Sequence, residues 1–496
     1  MGIPDSEEAT IQMAQNLLYQ RAMVSLDGAW VGTIAAIPKR HSHLADAIAG
    51  DLNYCEIFIR DNVPVMIYLL LVGKQDCVRH FLQTCLKLQS QQAATRGIFP
   101  TSFVEVDGKV VADYGQRAIG RVISVDATLW WVILAQIYVK WTGDKTFACQ
   151  AEVQSGLQKF LDLILCPRFR DAPTLYVPDG AFMIDRPLDV WGAPLEIQVL
   201  LYGALQSAAG LMQTAMQASF HAAKKQPPQN YPQSTLQYSI PHSVHDCLNY
   251  ARRLRRYLLK HYWVTSKTVQ VLRRRPTEQY GDAIENEYNI QTETIPHWLQ
   301  DWLGDRGGYL IGNLRTGRPD FRFFSLGNCL GAAFDILSTK QQQSLFRLMI
   351  QNQQHLVAQM PLRICHPPLE DSDWRKKTGY DRKNLPWCYH NGGHWPCLTW
   401  FMVMAMLKQQ PHKHYDDPRL VADMNALMEY CYRLMVAQLP PQDWAEYFDG
   451  PMGTWMGQQA RINQTWTIVG FLLVHHFLRV NPQDAQIFDI KVTAPT

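Results

Sequence analysis

Apolar residues return at three- and four-residue steps in long segments along almost the whole chain, and this period constrains the fold more than any other feature. The segments CVRHFLQTCLKLQSQ (77–91), ATLWWVILAQIYVKW (127–141) and LEIQVLLYGALQSAAGLMQTAM (195–216) all read as helices. So do HDCLNYARRLRRYLLKHYW (245–263), LTWFMVMAMLKQQ (398–410) and QTWTIVGFLLVHHFLRV (464–480). Strand-like alternation is scarce: FVEVDGKVVADYG (103–115) predicts one short hairpin turning at Asp107-Gly108. Helices recurring in pairs, joined by long polar loops, predict an all-α chain closed into a barrel of helical hairpins, the (α/α)6 toroid. An open solenoid and an irregular bundle are the alternatives. A single domain is expected over residues 1–496, because large barrels exceed the usual domain size and no stretch reads as a flexible linker. The Gln- and Pro-rich stretch at about 219–243 reads as a surface insertion between two helices.

Composition removes several classes of function. With 47 basic against 44 acidic residues the formal charge is +3, which gives no support for a nucleic-acid partner. The basic clusters Arg252-Arg253 with Arg255-Arg256, and Arg273 to Arg275, read as solvated faces. Eleven cysteines without a CxxC pair argue against a disulfide scaffold or zinc ribbon, and for a reducing cytosol. The opening MGIPDSEEATIQMAQ lacks a basic region followed by an apolar run, so no secretion signal is indicated, although MGIPDS fits the loose myristoylation pattern. The apolar run from Val63 to Val72 is too short to span a bilayer, so a cytoplasmic chain without a membrane partner is expected. Fifteen Trp and 21 Tyr are mostly core, with a surplus that suits stacking on a sugar.

Chemistry-bearing residues gather in four stretches. GAFMIDRPLDVWGAPLEIQ (180–198) holds Asp185, Asp189 and Glu196 among apolar neighbours. LPWCYHNGGHWPCLTWF (385–401) combines Trp387, Tyr389, His390, Asn391 and Trp395 ahead of Pro396, which suits the first turn of a helix. His390 and His394 are spaced as metal ligands, but the intervening glycines oppose a helix and no carboxylate stands at zincin spacing, so no metal is expected. In DWAEYFDGPMG (443–453), Glu446 lies between aromatics, a setting that lifts a carboxyl towards the pKa of a general base; an ion pair with Arg461 is the alternative. LNYCEIFIRDNVP (52–64) places Tyr54, Arg60 and Asp61 at the end of an aromatic and apolar run. Because adjacent side chains do not share a helix face, one of Arg60 and Asp61 is expected to line a site and the other to brace it, or the two to form a structural ion pair. No G-x-S-x-G elbow, Walker loop or G-x-G-x-x-G follows a strand, and Cys388 beside His390 reads as a packed thiol. A pair of carboxylates in an aromatic cleft is the arrangement of glycoside hydrolysis.

Read together, the stretches resemble the neutral/alkaline invertases, cytosolic sucrose hydrolases of plants and cyanobacteria. The resemblance runs from VGTIAA (31–36) through FIRD (58–61), IGRV (119–122) and MIDR (183–186) with PLEIQ (194–198). It continues through GGYLIGN (307–313), DFRFFSLGN (320–328), MPLRIC (360–365), YHNGG (389–393) and QTWTIVGF (464–471). The family implies an (α/α)6 barrel, no cofactor, and hydrolysis of sucrose by inversion. By motif its general acid falls on Asp185 and its general base on Glu446, with Asp61 as nearby negative charge. Residues expected around the sugar are Tyr54, Arg60, Asp126, Trp130, Glu278, Tyr280, Trp387, Tyr389, His390, Asn391, Trp395, Arg461, Gln464 and Trp466. Family members are often oligomeric, so a homo-oligomer is possible. Alternatives are a hydrolase of another small α-glucoside such as glucosylglycerol or trehalose, a silent sugar-binding relative, and an epimerase or lyase on the same barrel.

Departures from the family pattern are Glu56, Asp189, Ala193, Cys388, His394 and Gln458, several of them near the expected leaving group. Asp189 stands where the family usually has Gly, as an inert loop charge or as a group that retunes Asp185. Glu196 is expected in the first turn of a helix opened by Pro194 at its first position, serving the helix dipole.

Overall fold

The computed structural model describes residues 6–38, 54–117, 122–166, 172–223, 242–273, 294–315, 318–409 and 417–492. Twelve helices organise it: α1 (Glu7–Leu17), α2 (Ile59–Leu71), α3 (Gln75–Lys87), α4 (Val125–Thr142), α5 (Ala151–Ile164) and α6 (Leu195–Ala223). The second half adds α7 (Val244–His261), α8 (Ser325–Ala333), α9 (Thr339–Gln351), α10 (Thr399–Gln409), α11 (Pro418–Gln438) and α12 (Thr465–His475). The even-numbered helices pack in succession, α2 on α4, α4 on α6, α6 on α8, α8 on α10 and α10 on α12. Helix α12 then returns to α2 and closes a ring. Odd-numbered helices lie outside, α3 against α2 and α4, α7 against α6, α11 against α9 and α12.

Residue pattern explains which helix goes where. An inner helix meets protein on every side and must be apolar all round. Every residue from Asp126 to Val139 in α4 is buried, as is every residue from Thr465 to Val474 in α12. Outer helices bury one stripe: α3 buries Cys77, Val78, Phe81, Leu82, Thr84 and Cys85, and α7 buries Leu254 and Leu258 while Arg252, Arg253 and Arg256 face solvent. Helix α7 starts on a capping box in which Ser243 and Asp246 exchange side-chain and backbone bonds. The stretch Leu195–Ala218 of α6 is long and apolar enough to cross a membrane, yet every residue from Leu195 to Met212 is buried inside the protein. It is a wall of the ring.

The all-α expectation needs correction, because short sheets occupy the connections between helices. The predicted hairpin forms as Ser102–Val106 against Lys109–Asp113. Asp107 (φ 51°) and Gly108 (φ 73°) supply the left-handed pair that a tight two-residue turn requires. A larger sheet pairs Gly308–Arg315 with Arg318–Phe324, and adds Ala193–Pro194, Trp263–Thr265 and Cys365–His366 at its sides. These are apolar and aromatic runs too short for helices, and they lacked the alternation that marks a half-exposed strand. Helix α6 runs to Ala223, so the expected insertion does not begin at 219, and residues 224–241 lie outside the described residues. Pro194 stands just before α6 in a strand pair instead of at its first helical position. None of the eleven cysteines is in a disulfide.

Candidate active site

The first turns of the inner helices α2 and α12 meet at one end of the ring. There the connections form a cavity. Its wall includes Tyr54, Phe58, Arg60, Asp61, Met183, Asp185, Tyr389, His390, Trp395, Glu446, Gln464 and Trp466. Arg60 and Asp61 come from the first turn of α2, Gln464 caps α12, and Trp466 follows in its first turn. Asp185 lies between α5 and α6, Tyr389 to Trp395 between α9 and α10, and Glu446 between α11 and α12. Rings make one side of the cavity. Trp395 stacks on Tyr447 with centroids 5.0 Å apart and meets Trp466 edge-on at 5.8 Å, while Tyr389 lies 5.2 Å away.

The two carboxylates are set differently. Asp185 keeps 29% of its side chain open, which lets a ligand reach it. The Tyr389 hydroxyl donates to its Oδ1 at 3.1 Å. Burial raises its pKa, opposed by Arg60, Tyr389, Arg186 and Lys383. His390 Nδ1 stands 3.5 Å from Asp185, but burial holds that imidazole far below its usual pKa and therefore neutral. Glu446 is nearly closed off, with 3% exposure, and its Oε2 accepts the Arg461 backbone N–H at 3.2 Å. Burial pushes Glu446 up to about 7 against the pull of Lys383 and Arg461. Asp61 rises to about 7 as well, mainly by burial, and the charges of Glu446, Asp126 and Asp185 add to it. Three carboxyls that sense one another share their protons as a set.

Of Arg60 and Asp61, both reach the cavity, and a third residue does the bracing. Arg60 donates to Asp126 from Nε at 2.5 Å and from Nη2 at 3.1 Å, and to the Ser124 hydroxyl at 3.0 Å. Asp126 is fully buried behind it and lines no part of the main cavity. Trp130 lines a smaller apolar void beside Arg60, together with Glu196 and Trp400. Trp387 lies under the Arg363 guanidinium and donates to Glu370 at 3.0 Å. Asn391 is buried and ties Leu369 and Asn384 together through its amide. Arg461 stacks on Tyr54, its guanidinium carbon 4.5 Å from the ring centroid. Glu278 and Tyr280 lie outside the described residues.

Asp189 and Glu196 now separate. Asp189 has φ 58° and forms a two-pronged ion pair with Arg315, its Oδ2 accepting Nη2 at 2.9 Å. Arg315 also lies 4.7 Å over the Trp191 ring. Asp189 thus fastens its loop to the Gly308–Arg315 strand and does not line the cavity. Glu196 does stand in the first turn of α6, but its burial works against the expected dipole role. Burial lifts its pKa to about 8, so it is mainly neutral at pH 7. Residues not anticipated on the wall include Phe58, Thr101, Ser124 and Met183. Lys383, beside Tyr389, was missed too: a lysine in the polar stretch DRKN gives no sign of burial against an aromatic ring.

Comparison with known proteins decides the family. A sequence model described as alkaline and neutral invertase matches residues 15–482. The chain belongs to that family. Neutral/alkaline invertase 1, mitochondrial, of Oryza sativa subsp. japonica is 36% identical over 485 residues, covering 94% of this chain and 70% of its own length. Probable alkaline/neutral invertase D of Arabidopsis thaliana is 34% identical over 471 residues, covering 92% of this chain and 80% of its own. The chain is accordingly a glycoside hydrolase. Relatives named mitochondrial and chloroplastic occur beside others without such a label, so their names give no common compartment. A glycosidase variant solved with glucose superposes with a TM-score of 0.50 at 10% identity, covering 96% of this chain and 98% of its own. At that identity the likeness concerns the fold, a mainly helical α/α-barrel type.

Proposed function

We propose that this invertase-family hydrolase cleaves the glucose–fructose bond of sucrose by inversion, with Asp185 as general acid and Glu446 as general base. The observation that carries the reading is one aromatic-walled cavity lined by both carboxylates, one open and held by a phenol, the other closed off and held by a backbone N–H. Protonated Asp185 gives its proton to the bridging oxygen as fructose leaves. Glu446 takes a proton from water as that water attacks the anomeric carbon of glucose from the opposite face. Asp61 supplies negative charge beside the developing oxocarbenium centre, and Arg60, held by Asp126 and Ser124, faces the sugar from a fixed position. The closed inner ring with its outer returns supports an (α/α)6 barrel built by the whole chain as one catalytic domain. Eleven cysteines without a disulfide support a reducing compartment such as the cytosol.

On the free site burial raises both carboxyls, Glu446 to about 7, whereas turnover needs Asp185 protonated and Glu446 ionised. In this reading, a bound sugar whose bridging oxygen faces Asp185 excludes water there and transfers the shared proton to it. The pH dependence follows with a definite sign. The competent free site carries one proton on the pair, so kcat/KM for sucrose falls as pH rises through about 7, where Glu446 loses that proton. A purified-enzyme profile on sucrose tests both function and sign. Absence of sucrose hydrolysis contradicts the substrate, and a kcat/KM that stays flat as pH rises well past about 7 contradicts the shared proton.

A further inference from the structure

The short turn Arg382–Asn384 is fastened to the catalytic loop from both sides. Asp381 caps it and forms an ion pair with Arg186 at 3.2 Å, next in sequence to Asp185. The Asn384 amide donates to the Pro187 carbonyl at 3.2 Å, and Asn391 donates to the Asn384 carbonyl at 3.1 Å. This clamp sets the Lys383 ammonium 4.2 Å from the centroid of Tyr389 and 5.4 Å from that of Tyr447. Tyr389 is the residue whose hydroxyl holds Asp185. Lys383 is half-buried, and among the described residues its ammonium has neither an ion-pair partner nor a hydrogen-bond acceptor. Aromatic faces attract the charge but fill none of its three N–H donors. A half-buried cation held in this way has its donors left for a ligand.

The bond to be broken locates that ligand. If Asp185 protonates the leaving oxygen, the departing sugar begins at Asp185 and extends past Tyr389. An ammonium on a flexible stem suits several hydroxyl groups, where a guanidinium fork would suit a planar anion. We propose that Lys383 binds the hydroxyls of the departing sugar and so makes the enzyme selective for polyhydroxylated leaving groups. The inference rests on the reading of Asp185 as acid. Charged and titratable groups around the ammonium are Glu446, Asp185, Arg186 and Arg461, together with the phenols of Tyr389 and Tyr447.

Two substrates that share the glucosyl part separate this role from a general electrostatic one. Sucrose leaves as a sugar, while α-glucosyl fluoride leaves as fluoride, without hydroxyl groups to hold. Lys383→Met is expected to lower kcat/KM for sucrose about 10- to 100-fold, the worth of a charged hydrogen bond. The sucrose-to-fluoride ratio of kcat/KM should fall by about tenfold or more. Lys383→Arg should restore part of the ratio and, keeping the charge that pulls on Glu446, leave the limb near pH 7 in place, whereas Lys383→Met moves that limb up. Equal loss on both substrates, which leaves the ratio unchanged whatever the limb does, or no loss at all overturns the proposal. The ratio is measured within one preparation, so a partly unfolded fraction cancels, and Lys383→Gln gives a second variant. Wild-type enzyme inert on both substrates would overturn the underlying hydrolase reading instead.

Discussion

Asp185→Asn is expected to lower kcat on sucrose by about 10³-fold, and Glu446→Gln by a similar factor, because a positioned acid or base contributes roughly 10²–10⁴. Neither change should unfold the protein. Asn keeps the shape of Asp185 and can still accept from Tyr389, and the Gln oxygen can still accept the Arg461 N–H. The two losses should differ in kind. Fluoride leaves without needing a proton, so α-glucosyl fluoride should be spared more by Asp185→Asn than by Glu446→Gln, which removes the base for both substrates. Steady-state kinetics on the folded variants check this. Near-parental sucrose turnover by either variant contradicts its assignment.

The second large effect concerns stability. Arg363 is fully buried and pairs with no carboxylate among the described residues; its three nitrogens donate to the carbonyls of His355, Gly392 and Pro451. Trp387 lies across its face at 4.7 Å. Burial lowers its pKa to about 10, which leaves it charged at neutral pH. Three chain segments therefore converge on one cation, including the loop that carries Tyr389 and His390 and the turn after Asp449. Arg363→Met strips all three carbonyls of their donor and should cost about 3–5 kcal/mol, read as a lower denaturation midpoint. Arg363→Lys should recover only part, since one ammonium cannot reproduce the fork. A loss under about 1 kcal/mol for Arg363→Met would show that the loops hold without it.

How much of this was legible follows from which signals are local. Helix period is local, so α3, α4, α6, α7, α10 and α12 were readable, and the Asp107-Gly108 turn was readable from its own chemistry. The strands around Gly308–Arg315 were hidden because both faces are covered, which erases alternation. Glu196 was placed correctly in its helix but misread in charge, since its burial comes from residues far along the chain. Asp126 and Asn391 sit in motifs as marked as those of Asp185, and only the fold separates a brace from a wall. Lys383 carried no local signal, because its aromatic seat is assembled from separate turns.

Proton NMR of the first glucose released from sucrose tests the central claim most directly. Water attacking opposite the departing fructose, with Glu446 as its base, gives β-glucose first and the α-anomer only later by mutarotation. Initial release of α-glucose would mean that the configuration is retained and would contradict the paired roles of Asp185 and Glu446.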